Sequence, residues 1–476
     1  MPRRRSLWIV CAIAALHGIF FMWYQTPDWT SAWSDQDGYR RLGHVLATTG
    51  KFTRFPDAPV FVPEVIRTPA YPLFVAAIYR LFGTGQIPVA LAQTALFVVI
   101  CLLVYAAGRR VASERTAWMA ALVVALFPPL PYFAALVMTE VWTTLLFTFA
   151  IYLAIRALDD RRAGVFALLG ITLGATALSR PSFVLFPIAL ALAFAIVFPL
   201  ARVRPRPAPL HWFVMLALFA VTMLPWFAYN YATLGTFTLS PAGGVGRGIW
   251  EGSWQATWSG RLQNELTHLA DDIDDRGELD RRVHAVAARE QLPPERMLEY
   301  VHQWEDIRRI WDAPVDSAER ARARVAADRE YLRIGLENIR RDSAAHLAKR
   351  LSRGIFVLWA AEIPFRYSDI NSLPRAVIYI CWAIQAALVC LAIVGIAALA
   401  RNGRAAAALV LATPLVYITA VHFPLLTEAR QSLPAQPVVL LLATIGIVQL
   451  SGRSLSREPQ VHERQHLRQP AAGIES

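Results

Sequence analysis

The chain is divided into long apolar blocks that are separated by short connectors rich in arginine. Blocks of about 18 to 25 apolar residues have the length of a helix that crosses the hydrocarbon core of a membrane. Of the 476 residues, 56% are hydrophobic and only 17% are charged, a balance that argues against a set of soluble domains. The pattern therefore predicts an all-α polytopic membrane protein.

The apolar blocks predict about ten transmembrane helices. They lie at residues 7–24, 86–107, 115–134, 137–157, 164–179, 182–200, 211–229, 375–400, 404–421 and 435–450. If the N-terminus is cytoplasmic, the arginines of every short connector fall on the cytoplasmic side, and both termini lie there. The formal net charge of +12 then reflects topology signals, and no basic face that would bind nucleic acid is indicated.

This topology divides the chain into six segments. They are a first transmembrane helix with a cytoplasmic N-terminus (1–24), a first extracytoplasmic loop (25–85), a transmembrane bundle (86–229), a large extracytoplasmic helical loop (230–374), the C-terminal transmembrane helices (375–450) and a disordered basic cytoplasmic tail (451–476). The arginine-rich composition, with Lys51 and Lys349 as the only lysines, favours the inner membrane of a bacterium.

The large loop carries two further signals. From Asp316 the sequence DSAE fits a helix capping box, and apolar residues at helical spacing follow it, which predicts an amphipathic helix leading back to the membrane. These residues are Leu332, Leu336, Ile339, Leu347 and Leu351. Trp250, Trp254 and Trp258 are four residues apart and would share one helix face. We expect them to anchor that helix at the membrane interface, ahead of the alternative that they stack on a sugar.

Three arginines should lie near the membrane on the outer side, where the positive-inside rule does not favour them. They are Arg67, Arg180 and Arg430. A guanidinium at this place can bind a phosphate through two parallel hydrogen bonds. The competing interpretation of each is snorkelling, or pairing with a nearby acid such as Glu428.

Three acidic residues are expected on the same side. Asp35 and Asp37 follow the first apolar block in SDQDGYRRLG, and Glu140 interrupts an apolar stretch in VMTEVW. A plain change to polar sequence after a membrane helix, or a helix-packing contact of Glu140, would also account for them. Together with the arginines, however, they suit transfer from a lipid phosphate. A carboxylate would take a proton from an attacking hydroxyl or amine while the cations stabilise the departing phosphate.

Such a single displacement would invert the anomeric configuration of the transferred sugar. The sequence contains no phosphate-binding loop, dinucleotide fingerprint, HExxH motif or serine elbow, so nothing in it supports nucleotide-driven or hydrolytic chemistry.

The charged residues lie in a string of motifs that resembles the polyprenyl-phosphate-dependent GT-C glycosyltransferases of glycosyltransferase family 39, which include protein mannosyltransferases and aminoarabinose transferases. The motifs are SDQDGYRRLG, RTPAYPLFVAAIYRLFG, VMTEVWTTLLF, ALSRPSFVLFP, LPWFAYNYATLGTFTLSPAGGVGRGIWEG and TEARQSLPAQP. The resemblance implies a GT-C-like bundle with two long extracytoplasmic loops that contain amphipathic helices. It also implies a polyprenyl-phosphate sugar donor and a lipid, glycan or protein acceptor.

The resemblance also assigns expected roles to single residues. Asp35 lies four residues before Tyr39 and matches the family's catalytic acid, which leaves Asp37 as its neighbour. Glu140 matches an acidic residue of the second loop, and the three outer arginines match motifs that line the donor phosphate site. Tyr39, Tyr71 and Asn230 lie inside these motifs and are expected to line the substrate pocket.

Some positions depart from the family pattern. Ala70 stands where glycine is common, Tyr229 replaces an arginine before Asn230, and Gln431 with Ser432 replaces a Tyr-Arg pair. These departures leave open different donor contacts or a loss of activity. Some members of the family bind a divalent metal, the one cofactor that the resemblance allows, but no cluster of His or acidic residues here has the spacing of metal ligands.

Two other classes of function compete with a transferase. A lipid-phosphate transporter or flippase should carry ionisable residues or broken helices near the bilayer midplane in a repeated arrangement, and no repeat is seen. An inactive membrane scaffold is disfavoured because Asp35 and Arg430 are retained.

Overall fold

The computed structural model describes residues 4–29, 34–160, 162–200, 208–311 and 317–452, and these ranges are built from helices. The α-helices are α1 (Arg4–Gln25), α2 (Ser34–Thr49), α3 (Ala70–Phe82), α4 (Gln86–Val111), α5 (Glu114–Leu126), α6 (Pro129–Ala134), α7 (Glu140–Asp159), α8 (Ala163–Ala177), α9 (Phe186–Leu200), α10 (Pro209–Leu234), α11 (Val245–Trp254), α12 (Gly260–Asp272), α13 (Arg276–Glu290), α14 (Glu295–Trp311), α15 (Ser317–Arg341), α16 (Ser343–Lys349), α17 (Ile355–Ala360), α18 (Arg375–Arg401), α19 (Ala405–His422) and α20 (Gln436–Leu450). The predicted all-α multi-pass membrane protein is confirmed. Most of the predicted tail, residues 453–476, lies outside the described residues.

Seven segments of the described chain are long and apolar enough to cross a membrane, against about ten predicted. They are Leu7–Gln25, α4, α7, α10, α18, α19 and Ala429–Leu450, which includes α20. The predicted spans 164–179 and 182–200 correspond to α8 and α9, of 15 residues each. An α-helix of that length measures about 22 Å, less than the hydrocarbon core. That α8 and α9 cross the membrane therefore stays a prediction.

The single span predicted over 115–134 is two helices in the structure. Phe127 lies between α5 and α6 with φ −79° and ψ 107°, outside the helical region. Because Phe127 precedes Pro128, the proline ring disfavours a helical conformation at this residue. Hydropathy alone could not show the break, since the residues on both sides are apolar.

The helices of the bundle pack closely where glycines let two backbones approach. α20 lies against α18, α5 and α4, and α4 lies against α1, α5 and α7. A Cβ atom on Gly446 of α20 would lie 2.2 Å from the carbonyl oxygen of Leu391, and one on Gly395 of α18 would lie 2.0 Å from that of Leu442. Small residues are common where helices pack in membranes. Lipid tails are as apolar as the helix surfaces, so close van der Waals contact, and not the hydrophobic effect, holds the helices together.

We expect Gly446→Ala to lower the free energy of unfolding by about 1–3 kcal/mol, because the added methyl group must displace α18. Thermal unfolding of the purified protein in detergent would measure this. Gly164→Ala is the matched control, since nothing lies within 4 Å of a Cβ at that helical position. Equal melting temperatures for the two variants would contradict the close contact between α18 and α20.

Helices α11 to α15 have a hydrophobic core of their own, and Trp250 and Trp254 lie in it. The two side chains are 0% and 1% exposed, and both indole N–H groups donate to Oε1 of Gln303, at 2.7 and 3.0 Å. The expected membrane anchor is therefore wrong for these two residues. The four-residue spacing did mark one helix face, but that face packs against Tyr300 and Tyr331.

The amphipathic helix predicted from Asp316 is interrupted. Its predicted cap, Asp316, lies outside the described residues, and α15 ends at Arg341. Oδ1 of Asp342 accepts a hydrogen bond from the backbone N–H of Ala345 at 3.3 Å and so caps the new helix α16. The predicted apolar positions Leu336, Leu347 and Leu351 are exposed.

Candidate active site

Five charged residues that the sequence singled out come from five separate segments and form one cluster. Asp35 lies in the first turn of α2, Arg67 in the loop before α3 and Glu140 at the start of α7. Arg180 immediately precedes the 3-10 turn Pro181–Phe183, and Arg430 lies in the 3-10 turn Ala429–Ala435. Ion pairs connect all five. The five side chains that were expected near one membrane surface therefore lie together.

Asp35 lies between two of the arginines. Its Oδ1 is 3.4 Å from Nη2 of Arg67, and its Oδ2 is 3.2 Å from Nη1 of Arg430. Burial raises the pKa of Asp35, but the charges of Arg430, Arg67 and Arg180 and the hydrogen bond from Arg430 outweigh this and hold the pKa below its ordinary value of 3.8. The carboxylate is ionised at neutral pH, and with 45% of the side chain exposed it is accessible to a second molecule.

Glu140 forms the second acidic centre of the cluster. Its side chain is 1% exposed, and its Oε1 is 3.2 Å from Nη2 of Arg180 and 3.9 Å from Nη1 of Arg430. Nη1 of Arg430 therefore lies between Glu140 and Asp35. Nε of Arg430 also donates to Oε2 of Glu428 at 2.9 Å, so the pairing expected as an alternative for Arg430 is observed as well.

Three buried polar atoms of the cluster have no hydrogen-bond partner within the described part of the chain. They are Nε of Arg67, Nη1 of Arg180 and Oε2 of Glu140. Buried polar atoms are nearly always hydrogen-bonded in folded proteins, so each of these atoms can still take a water molecule or a bound ligand as its partner. The cluster thus offers two N–H donors on cations and one carboxylate oxygen to such a partner.

Asp37 is not part of the cluster. Residues two apart on an α-helix differ in direction by about 200°, so Asp35 and Asp37 cannot face the same way. Asp37 is exposed, and no ion pair of its side chain is seen among the described residues. The two aspartates stand in the same motif, but only Asp35 belongs to the cluster.

The position of Arg67 is fixed from three directions. Its guanidinium lies 4.7 Å from the ring centre of Tyr39 and rests on Gly38, where a Cβ atom would be 2.2 Å from Nη2. Oε1 of Glu64 accepts from the backbone N–H of Arg67 at 3.3 Å. Tyr71 is fully buried and contacts the ring of Tyr39 edge-on at 5.1 Å. Tyr39 therefore adjoins the site, whereas Tyr71 packs against the ring of Tyr39.

Asn230 lies outside the cluster. It is fully buried, and its Nδ2 donates to the carbonyl oxygens of Thr238 and Leu239, at 2.6 and 3.4 Å. Tyr229, at the position where the family carries an arginine, stacks on Trp226 with ring centres 5.0 Å apart. Asn230 fixes the chain that follows α10, and the structure does not bring it to the predicted substrate pocket.

Sequence reasoning missed Glu362, which follows α17. Burial, and then the nearby carboxylate of Glu140, raises the pKa of Glu362 to about 8. Arg430 and Glu428 also act on it electrostatically, which places it beside the cluster. It stands in no motif, and the only signal in the sequence is an acid close to an apolar stretch. Within the described ranges, no group of three or more His, Cys, Asp or Glu side chains could hold a metal ion.

Residues 66–227 match the family model of dolichyl-phosphate-mannose-protein mannosyltransferase, which confirms the resemblance for the motifs within that range. The motifs that contain Asp35 and Arg430 lie outside the matched residues. The comparison with curated protein sequences found no match to this chain.

Among solved structures, the fold is similar to that of the archaeal oligosaccharyltransferase AglB from Archaeoglobus fulgidus in complex with an inhibitory peptide and a dolichol-phosphate. The identity is 14% and the TM-score 0.51, over 94% of this chain and 50% of that chain. The apo form of the A. fulgidus oligosaccharyltransferase matches with 14% identity and a TM-score of 0.53, over 94% and 51%. ArnT from Cupriavidus metallidurans bound to undecaprenyl phosphate has 12% identity and a TM-score of 0.42, over 93% and 78%. The chain thus spans about half the length of the oligosaccharyltransferases, and the likeness is one of fold.

Proposed function

We propose that this chain, whose residues 66–227 match the family model of dolichyl-phosphate-mannose-protein mannosyltransferase, is an inverting glycosyltransferase. It would move a sugar from a polyprenyl phosphate to an acceptor at the extracytoplasmic face of a bacterial inner membrane. One observation carries the proposal: an accessible carboxylate, Asp35, is held between Arg67 and Arg430 beside the buried pair of Glu140 and Arg180.

The donor phosphate would bind to the arginine side of this cluster. The unpartnered N–H groups of Arg67 and Arg180 are suited to phosphate oxygens, because charge-assisted hydrogen bonds from guanidinium groups are short and strong. Buried cations are also well placed to stabilise the charge that develops on the phosphate as the bond to the sugar breaks. Glu140 would hold Arg180 and Arg430 in place for this role.

Asp35 would act on the acceptor. As the acceptor oxygen or nitrogen bonds to the anomeric carbon, its proton passes to the carboxylate, and the electron pair of the breaking C–O bond stays on the phosphate. A donor phosphate competes with Asp35 for Arg67 and Arg430. Since these cations lower the pKa of Asp35, drawing them towards the phosphate makes the carboxylate a stronger base when the donor is bound.

The test uses purified protein in lipid with a panel of polyprenyl-phosphate sugars and an acceptor extract. We expect release of polyprenyl phosphate with one class of sugar, only when the extract is present, and a product of inverted anomeric configuration. Binding of the lipid phosphate without release would refute a transferase. Movement of labelled lipid phosphate across proteoliposomes would then indicate a transporter, and its absence a scaffold.

A further inference from the structure

Arg350 is a buried cation that lies outside the cluster of five charged residues. It begins the short π-helical turn Arg350–Gly354 between α16 and α17, and its side chain is fully enclosed, with 1% exposure of the residue. Burial lowers its pKa to about 10, so it is still protonated at neutral pH. No carboxylate pairs with it among the described residues, and its N–H groups are satisfied by neutral oxygens.

Those oxygens belong mostly to one short segment, residues 422–427. Nε of Arg350 donates to the carbonyl of Phe423 at 2.7 Å, and Nη2 lies 2.5 Å from the carbonyl of Leu425 and 3.3 Å from that of His422. His422 is the last residue of α19. The last carbonyls of a helix have no partner within it, and a cation there also complements the negative end of the helix dipole. Arg350 therefore caps α19 from a distant part of the chain.

A second contact fixes the end of the same segment. Nη1 of Arg350 donates to Oε1 of Gln255, which also accepts from the backbone N–H of Thr427 at 3.0 Å, while Nε2 of Gln255 donates to the Thr427 carbonyl at 2.8 Å. The backbone N–H of Leu426 donates to the carbonyl of Gly248 at 2.6 Å. The segment is thus held along its length by α11, Gln255 and Arg350.

The next residues lead directly into the cluster. Glu428 follows Thr427 and forms a capping box with Gln431 at the start of the 3-10 turn. Glu428 also accepts from Nε of Arg430, whose Nη1 reaches Asp35 at 3.2 Å. An unbroken series of contacts therefore runs from Arg350 through Thr427 and Glu428 to Arg430.

We propose that Arg350 is a positioning residue for the transferase, which fixes residues 422–427 so that Arg430 is held at Asp35 and at the donor phosphate. The proposal rests on the proposed function for its kinetic readout. Arg350 itself touches neither substrate nor Asp35 and acts through Arg430.

The test compares Arg350→Gln with Arg353→Gln. Arg353 lies in the same π-helical turn, and its side chain is exposed, so the control removes the same charge without touching the segment. We expect Arg350→Gln to reduce kcat by about 10²-fold, the effect that a displacement of about 1 Å can have on a catalytic group. Arg353→Gln should stay within about 2-fold of the wild type.

A double-mutant cycle with Arg430→Gln separates positioning from a general structural effect. If Arg350 acts through Arg430, the double variant should be no slower than Arg430→Gln alone, because coupled residues are not additive. Multiplied losses in the double variant would overturn the proposal. Thr427→Val removes only a hydroxyl group from the network. If Arg350→Gln does not fold, Thr427→Val replaces it in the same cycle with Arg430→Gln.

Hydrogen exchange of residues 422–435 provides a readout that needs no activity. We expect faster exchange in Arg350→Gln than in Arg353→Gln. Unchanged exchange would overturn the positioning role whatever the kinetics show. Faster exchange in a protein whose wild type releases no polyprenyl phosphate would refute the proposed function and leave the positioning of the segment supported.

Discussion

Replacement of Asp35 by asparagine is expected to reduce the release of polyprenyl phosphate by about 10²- to 10⁴-fold, the contribution of a well-placed general base. Asparagine has nearly the same shape and can still accept a hydrogen bond from Arg67 or Arg430. It cannot take the proton of the acceptor, and it removes the negative charge between the two cations. Initial rates with saturating donor would measure the loss.

Asp37→Asn is the matched control for this substitution. It makes the same chemical change two residues away in α2, on a side chain that is exposed and directed away from the cluster. We expect its rate to stay within about 2-fold of the wild type. Loss in Asp37→Asn with retained activity in Asp35→Asn would mean that the base had been assigned to the wrong carboxylate. If both variants retain activity, the general base is not one of these two residues of α2.

The sequence predicted all five members of the cluster, together with Asp37, which lies outside it, but could not predict the connections among them. Asp35, Arg67, Glu140, Arg180 and Arg430 stand at ends of apolar blocks, so a topology that obeys the positive-inside rule brings them to one side of the membrane. Which carboxylate meets which arginine depends on the side-chain direction of each short segment. That direction is set by packing. The contacts of the Arg67 guanidinium with Gly38 and with the ring of Tyr39 are an example.

Motif membership did not distinguish residues of the site from residues that support the fold. Asn230 stands in a motif of the family but bonds to the carbonyls of Thr238 and Leu239. Glu362 lies beside the cluster, and Arg350 is proposed to position Arg430, yet neither residue stands in a motif. The spacing of Trp250 and Trp254 predicted a shared helix face, but this spacing is the same whether the face meets lipid or a protein core. Which of the two applies depends on whether other helices pack on that face.

Replacement of Arg430 by glutamine has the second largest expected effect, because this guanidinium lies between Asp35 and Glu140 and is proposed to contact the donor phosphate. We expect kcat/KM to fall by about 10²- to 10³-fold, as for the loss of one donor that stabilises developing negative charge. Arg430→Lys should recover only part of this, since an ammonium group cannot reach both carboxylates in the planar geometry of a guanidinium.

The pH profile tests whether Arg430 acts on Asp35. Asp35 is active as a base when ionised, so activity is present above its pKa and is lost as the pH falls through it. Arg430 is the foremost of the charges that lower this pKa, while burial raises it. Without Arg430 the pKa must rise, and the acidic limb of the kcat/KM profile should move to higher pH in Arg430→Gln and move less in Arg430→Lys. An acidic limb that stays in place while the rate falls would show that Arg430 serves the phosphate alone, and that Arg67 suffices to keep Asp35 ionised.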